Sequence, residues 1–421
     1  MFPIGNLLSP NTLEHPMTKK IAIIGAGITG VTTAYKLSDS DAEVTVFERN
    51  RYAAMETSFA NGGQLSASNA EVWNNWSTVW KGLHWMLRAD APLLMNPKPN
   101  LHKLSWMLGF LSNIKNYRQN TIKTTEMAIA AREHLLEMAA EAGVDFDYRP
   151  CGILHFYQDE KGFKHARAVN SLLAKGGLDR KELGPNDIQK YEPNLEGQFA
   201  GGFWTQSDST GDIHKFSIGL AAAAEARGVR FCYDSPIERL NATQRGVLVQ
   251  VEGQDPQEFD KIVICAGVHS HHFAKMLGDR VNVYPVKGYS ITVNMKTKAS
   301  QAAAPQTSLL DDAAKVVTSR LGRDRFRIAG TAEFNGINRD IRADRIAPLV
   351  QWCEQYFPGV STEHVVPWAG LRPMRPNMMP RVGAGKNPNV FYNTGHGHLG
   401  WTLSGITADM VASLTLARRA A

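Results

Sequence analysis

The chain has 421 residues, 43% of them hydrophobic, enough for about two or three domains at ~150 residues each. Its formal charge of +6 is concentrated between Val72 and Arg118, where six basic residues (Lys81, Arg88, Lys98, Lys103, Lys115, Arg118) meet one acid, Asp90, so no broad basic face is left for nucleic acid. Four scattered cysteines (Cys151, Cys232, Cys265, Cys353) argue for a reducing, cytoplasmic setting and against structural zinc, and no run approaches the ~18 apolar residues of a membrane span.

Met1 to Pro16 has neither a charged n-region nor an apolar h-region, so it is expected to be a flexible extension rather than a secretory signal, with Met17 as the natural start. Ile21-Ala-Ile-Ile-Gly25-Ala-Gly27-Ile-Thr-Gly30 then reads as a buried strand, Lys20–Ile24, entering a helix over about Ile28–Ser38 through G-x-G-x-x-G. The glycines permit a tight turn and let the backbone approach a pyrophosphate at the helix N-terminus, which makes Gly25, Ala26, Gly27, Ile28 and Gly30 cofactor candidates. A second strand ends at Glu48, placed after the turn as a carboxylate that holds a ribose diol would be, and Arg49 beside it suits adenine or phosphate. A lone G-x-G-x-x-G is weak; strand, helix and acid together favour a nucleotide site over a polar strand end.

Five of the nine tryptophans fall between Trp73 and Trp106. Trp73, Trp76, Trp80, Leu83 and Leu87 share one helical face, with Lys81, His84 and Arg88 off it, and a second apolar helix is expected from about Leu101 to Ile114. Trp beside Lys and Arg on an amphipathic helix suits a membrane interface, where each basic residue adds ~1 kcal/mol near an anionic leaflet. The stripe equally suits burial in the core or in a subunit interface. The charge concentration favours peripheral attachment through residues 72–118, on the inner face of a bacterial plasma membrane.

Asp212 precedes an alanine-rich helix over about Ile213–Ala226 and reads as its N-cap. Strands are expected over Gly228–Tyr233, Gly246–Gly253 and Asp260–Ala266, the last closing on small residues, Ala266-Gly267, that allow close backbone approach. His269, His271 and His272 at i, i+2, i+3 do not put three ligands on one helical face, so no metal is expected. Near the end, Asn393-Thr-Gly395-His396-Gly397-His398-Leu399-Gly400-Trp401-Thr402 is a second glycine-rich strand-to-helix turn, with too little chain after it for another nucleotide unit. Both turns are read as gripping one long cofactor, FAD, from its two ends. The cofactor domain is then discontinuous, 17–69, 208–284 and 385–421, with a substrate domain over 70–207 and 285–384.

Together these residues resemble the flavin-bearing small subunit family of bacterial D-amino-acid dehydrogenases, within the D-amino-acid oxidase superfamily. The matching stretches are Gly25–Gly30, Glu56-Thr-Ser-Phe-Ala-Asn-Gly-Gly-Gln64, Tyr284-Pro-Val-Lys-Gly-Tyr-Ser290, Gly370-Leu-Arg-Pro-Met374 and Gly395–Thr402. The resemblance implies an α/β fold: a Rossmann-like FAD-binding domain of the glutathione-reductase type 2, D-amino-acid oxidase-like kind, with an inserted α+β substrate domain. It implies that Thr57 and Ser58 contact phosphate, and that Asn61, Gly62, Gly63, Gln64 and Leu65 lie along the flavin. Ile237 would hold adenine and Ala266-Gly267 would pass the ADP half. The C-terminal helix starting near Trp401-Thr402 would aim its positive end at the flavin pyrimidine, favouring the anionic reduced state by ~0.3–2 kcal/mol. Arg372 would clamp the substrate carboxylate and also border the flavin; Tyr289 is either a second carboxylate or flavin-edge contact or a core tyrosine. Where similar enzymes continue Thr-Pro-Asp-Gly after the Arg-Pro-Met, this chain has Arg375-Pro-Asn377-Met378, and His398 replaces a hydroxyl residue. Both positions are expected to face substrate or flavin, where they would read a polar or acidic side chain or be neutral changes. No cysteine falls in the motifs, so the flavin is expected to be non-covalent.

The activity so implied is oxidative deamination of a D-amino acid by hydride transfer from the α-carbon to flavin N5, giving a 2-oxo acid and ammonia without a strong protein base if the amine arrives neutral. A membrane quinone or an electron-transfer partner would take the electrons. Two rivals stand beside it: a dehydrogenase of secondary amines (hydroxyproline, sarcosine or opine type), and a non-catalytic flavoprotein subunit whose Trp face meets an assembly partner.

Overall fold

Residues 18–85 and 93–417 are described by the computed structural model; the expectations placed on residues 1–16, Met17, Leu87, Arg88 and Asp90, and on the side chains of Lys81, Leu83 and His84, lie outside what is described. Lys20–Ile24 is apolar without alternation because both its faces are covered. It runs parallel to Glu43–Phe47 on one side and to Lys261–Ile264 on the other. The sheet they found has six strands, in the order 381–384, 390–394, 261–264, 20–24, 43–47, 230–232, and only its first pair is antiparallel. Ile21 and Ile23 pack toward the helices Ile28–Leu37, Ile213–Ala226 and Gly400–Leu416. Ala22 and Ile24 point the other way, onto the three-stranded sheet 237–242, 247–251, 257–259.

A second, nine-stranded sheet is mostly antiparallel. Its long strands Tyr284–Asn294 and Val365–Met374 pair so that Gly288 faces Gly370 and Val286 faces Arg372. On the other side of Tyr284–Asn294, the pairing with Arg325–Phe334 slips: Lys287 meets Glu333 but Tyr289 meets Gly330. Thr331 lies in that slip with a left-handed φ of 61°, a bulge that re-aims its carbonyl. The architecture is α/β, as the resemblance implies.

Local signals explain where the helices begin. Asp212 caps Ile213–Ala226, its carboxylate accepting from the His214 and Lys215 N–H groups at 3.0 and 3.3 Å. The Trp-rich helix is Trp76–Trp85 and does not include Trp73, because Asn75 accepts from the Thr78 N–H at 2.7 Å and starts the helix there. The expected stripe is thereby split: Trp73 turns inward, while Trp76 and Trp80 are 60% and 67% exposed. The second helix is Leu101–Ser112, capped by Asn100; Asn113 then turns the chain before Ile114. Among the described residues, no helix is long and apolar enough to cross a membrane.

Candidate active site

The carboxyl ends of the parallel strands open into a cavity of about 560 Å³ that continues to the bulge of the nine-stranded sheet. Both glycine turns line it. Gly25 has a φ of +100°, and a Cβ on Gly30 would stand 1.8 Å from the Gly25 carbonyl oxygen, so helix and strand can close to this distance only with glycine at residue 30. Gly27, Ile28 and Thr29 present the N-terminal end of helix Ile28–Leu37, whose Ile28 N–H donates to Ser58 Oγ at 3.0 Å. Glu48 ties the turn to the strand end, accepting from the Ala26 N–H at 2.7 Å and the Asn50 N–H at 2.9 Å. Arg49 pairs with Glu56 and His269, and Glu56 also holds Arg339. Thr57 Oγ1 donates to the Leu371 carbonyl at 2.7 Å, joining this wall to the strand of Arg372. Ile237, Ala266 and Gly267 complete it. Ala26, Gly30 and Leu65 stand behind the wall and do not face the cavity; Leu65 packs into the core.

Asn61, Gly62, Gly63 and Gln64 form the cavity's long side. Gln64 Nε2 donates to Ser308 Oγ and to the Leu309 carbonyl, while Asn61 Oδ1 accepts from the Gly63 N–H. Opposite them lie Gly395, His396, Gly397, Leu399, Gly400, Trp401 and Thr402, where helix Gly400–Leu416 begins. His396 is buried against Thr407, and burial with the nearby Arg375 cation pulls its pKa down to about 3. Gln64 Oε1, Thr331 Oγ1, His398 Nδ1 and Trp401 Nε1 are buried atoms without a hydrogen-bond partner, and all four belong to residues of this one cavity. Two helix N-termini, a carboxylate at the first turn and these orphaned groups fit a bound dinucleotide with a polar ring system. Cys265 also borders the cavity, but its thiol turns to Thr33 and burial pushes it up to about 12, so it is no nucleophile for a covalent link.

Arg372 lies at the far end. Its guanidinium is laid flat over Gly288: a Cβ there would come within 2.4 Å of Nη2 and 2.5 Å of Cζ and Nη1. Nη1 donates to the bulged Thr331 carbonyl at 2.9 Å. Among the described residues no carboxylate pairs with it, and desolvation alone draws its pKa down to about 10. His398 donates from Nε2 to the Asn69 carbonyl at 3.0 Å and stacks on Trp73, ring centroids 5.0 Å apart. Burial, joined by the Arg372 charge and opposed by the Asn69 hydrogen bond, draws its pKa down to about 4. Tyr289 alternates to the opposite sheet face from Gly288. The residue borders the cavity, while its ring is 1% exposed and its hydroxyl donates to Glu333 at 2.8 Å, beside Lys287. Arg375 also departs from expectation: its guanidinium turns behind Gly395, outside the cavity, where the Met379 and Pro380 carbonyls accept from it. Asn69 and Thr331 have no signal in the sequence, Glu56 enters it only within a matching stretch and His269 only as a rejected metal ligand; Gly288, a glycine inside a strand, signals a close approach.

The sequence profile of the FAD dependent oxidoreductase family matches residues 20–414, and the chain belongs to that family: it is an FAD-dependent oxidoreductase. Within it, the chain is 61% identical over 397 residues to "D-amino acid dehydrogenase 3" of Mesorhizobium japonicum, covering 94% of this chain and 96% of that one. It is 40% identical over 411 residues to "D-amino acid dehydrogenase" of Paramagnetospirillum magneticum, covering 96% of each. In fold it is similar to glycine oxidase from Geobacillus kaustophilus, with a TM-score of 0.75 at 18% identity over 94% of this chain and 95% of that one.

Proposed function

We propose that this flavoenzyme oxidatively deaminates D-amino acids, releasing a 2-oxo acid and ammonia. The observation that carries the reading is the Arg372 guanidinium in the cofactor cavity, flat against Gly288 and with no carboxylate partner among the described residues, where a bidentate carboxylate fits it. The 61% identical relative named a D-amino acid dehydrogenase supports the same substrate class. FAD, bound non-covalently, supplies a hydride acceptor for the substrate α-carbon. The chain's own contribution is orientation: Arg372 fixes the carboxylate, the Thr331 carbonyl fixes Arg372, and the stacked His398–Trp73 pair walls the adjoining space. His398 stays neutral through the physiological range, so it adds no positive charge beside an arriving amine. The helix starting at Gly400 favours electron density on the cofactor. The cofactor contacts are proposed to be Gly25, Gly27, Ile28, Glu48, Arg49, Ser58, Asn61 to Gln64, Ile237, Ala266, Gly267 and Gly395 to Thr402, in a discontinuous domain formed by 17–69, 208–284 and 385–421.

The electrons are proposed to leave at a membrane surface, to a quinone or an electron-transfer partner. Support comes from the exposed Trp76 and Trp80 and, on the next helix, from Leu101, Leu104, Leu108 and Leu111 at 87%, 53%, 60% and 41% exposure, with spacing that lines one face. Anaerobic bleaching of the flavin by D-amino acids tests the activity. Bleaching by proline-like or N-alkyl amines alone would move the assignment to secondary amines, and no bleaching by any amine would leave a non-catalytic flavoprotein.

A further inference from the structure

Beyond Arg372 the cavity has a second charged wall. Glu71, His165, Asp312 and Lys315 line it together with Trp73 and Leu93. Lys315 is committed to Asp312 as an ion pair. Glu71 is half-buried, and its hydrogen-bond partner among the described residues is the Tyr117 hydroxyl, which donates to Oε1 at 2.6 Å and leaves Oε2 for a ligand. Burial pushes the Glu71 carboxyl up, while the Tyr117 hydroxyl and the Lys315 cation hold it back. A carboxylate left this way beside an open space is stabilised by a cation that enters it. Its position relative to Arg372 is fixed by the two ends of its own segment. Asn69 accepts from His398 Nε2 and Trp73 stacks on the same imidazole, so Glu71 is carried between two contacts to one ring that itself feels the Arg372 charge. The same cavity therefore presents both a guanidinium and a carboxylate.

We infer that Glu71 is a specificity-determining residue that receives the terminal cation of the substrate side chain, so that the preferred substrates are D-amino acids with extended basic side chains, D-lysine and D-arginine. The inference rests on the D-amino-acid reading of the site. An α-carboxylate docked on Arg372 leaves the side chain the remaining space, and an aliphatic stem ending in a cation complements Glu71 while its methylenes pass the Trp73 face.

The test compares anaerobic flavin reduction by D-lysine, D-arginine, D-norleucine and D-glutamate in the wild-type holoenzyme and in Glu71→Gln, which keeps the size and an acceptor for Tyr117. The expected result is a kcat/KM for the basic pair about 10- to 100-fold above D-norleucine, lost in Glu71→Gln with D-norleucine changed less than about threefold. A binding readout independent of turnover uses 6-aminohexanoate against hexanoate by calorimetry: the amine should bind at least about tenfold tighter to wild type and equally to the variant. Equal use of basic and neutral D-amino acids by wild type, or an equal loss for all substrates in the variant, would overturn the inference and leave the D-amino-acid reading intact. Failure of every D-amino acid, D-norleucine included, to reduce the flavin would overturn both.

Discussion

Replacing Gly288 by alanine isolates what holds the carboxylate clamp in place. The added Cβ would lie 2.4–2.5 Å from three atoms of the Arg372 guanidinium, against an ordinary carbon contact of ~3.5–4.0 Å, so the group must move by about 1 Å. Gly288 is not in the left-handed region, so the methyl costs nothing in backbone strain. A shift of about 1 Å away from the strand stretches the 2.9 Å bond to the Thr331 carbonyl beyond hydrogen-bonding range and displaces the docked carboxylate by a similar amount. Misplacement on that scale costs on the order of 100-fold in rate, equivalent to ~2.7 kcal/mol at ~1.36 kcal/mol per decade. Steady-state and single-turnover flavin reduction with a D-amino acid should therefore show kcat/KM down about 100-fold, with a raised KM, while the flavin spectrum and melting temperature stay near wild type. An alanine variant with unchanged kcat/KM would refute the placement of Arg372 over Gly288 as the basis of substrate binding.

Arg372→Lys, which keeps charge but not the planar fork, should lose most of the substrate affinity, and Arg372→Ala about 2–5 kcal/mol of kcat/KM, both read in the same assay with flavin occupancy as the control. His396 binds no proton in the folded state until about pH 3, whereas in the unfolded chain it does so near 6.5. Its stabilising neutrality is thus complete above about pH 6.5 and eroded as pH falls toward 3, by at most ~1.4 kcal/mol per unit; melting temperatures from pH 7.5 to 4.5 should flatten in His396→Asn. Leu104→Glu with Leu108→Glu should weaken flotation with anionic phospholipid vesicles by more than about tenfold without altering flavin reduction in solution, and unaltered flotation would remove the membrane from the acceptor's side.

The features legible in the sequence are those encoded over short spans. The strand-turn-helix at Gly25–Gly30 and the Asp212 cap depend on neighbours within a few residues, and the structure places them where the pattern does. The Trp stripe was misjudged by one turn, because helical periodicity does not register that Asn75 starts the helix after Trp73. The direction of Tyr289 and the role of the Thr331 carbonyl follow from strand pairing between distant segments and from a bulge, neither of which leaves a local mark. Arg375 was expected at the cavity because its neighbours in the motif are; two carbonyls further along its own loop decide otherwise.

The order of the six-stranded sheet has a consequence for how the protein is made. Strand 20–24 emerges first, yet one of its two neighbours is strand 261–264, which in turn waits for strand 390–394. At about 5–20 residues per second, strand 390–394 trails by roughly 20–70 s of synthesis. Throughout that interval an apolar parallel strand has an unpaired edge, and a glycine turn shaped for a cofactor lacks the chain that faces it. Flavin capture thus waits until strand 390–394 has been made and its glycine turn can close on the first one.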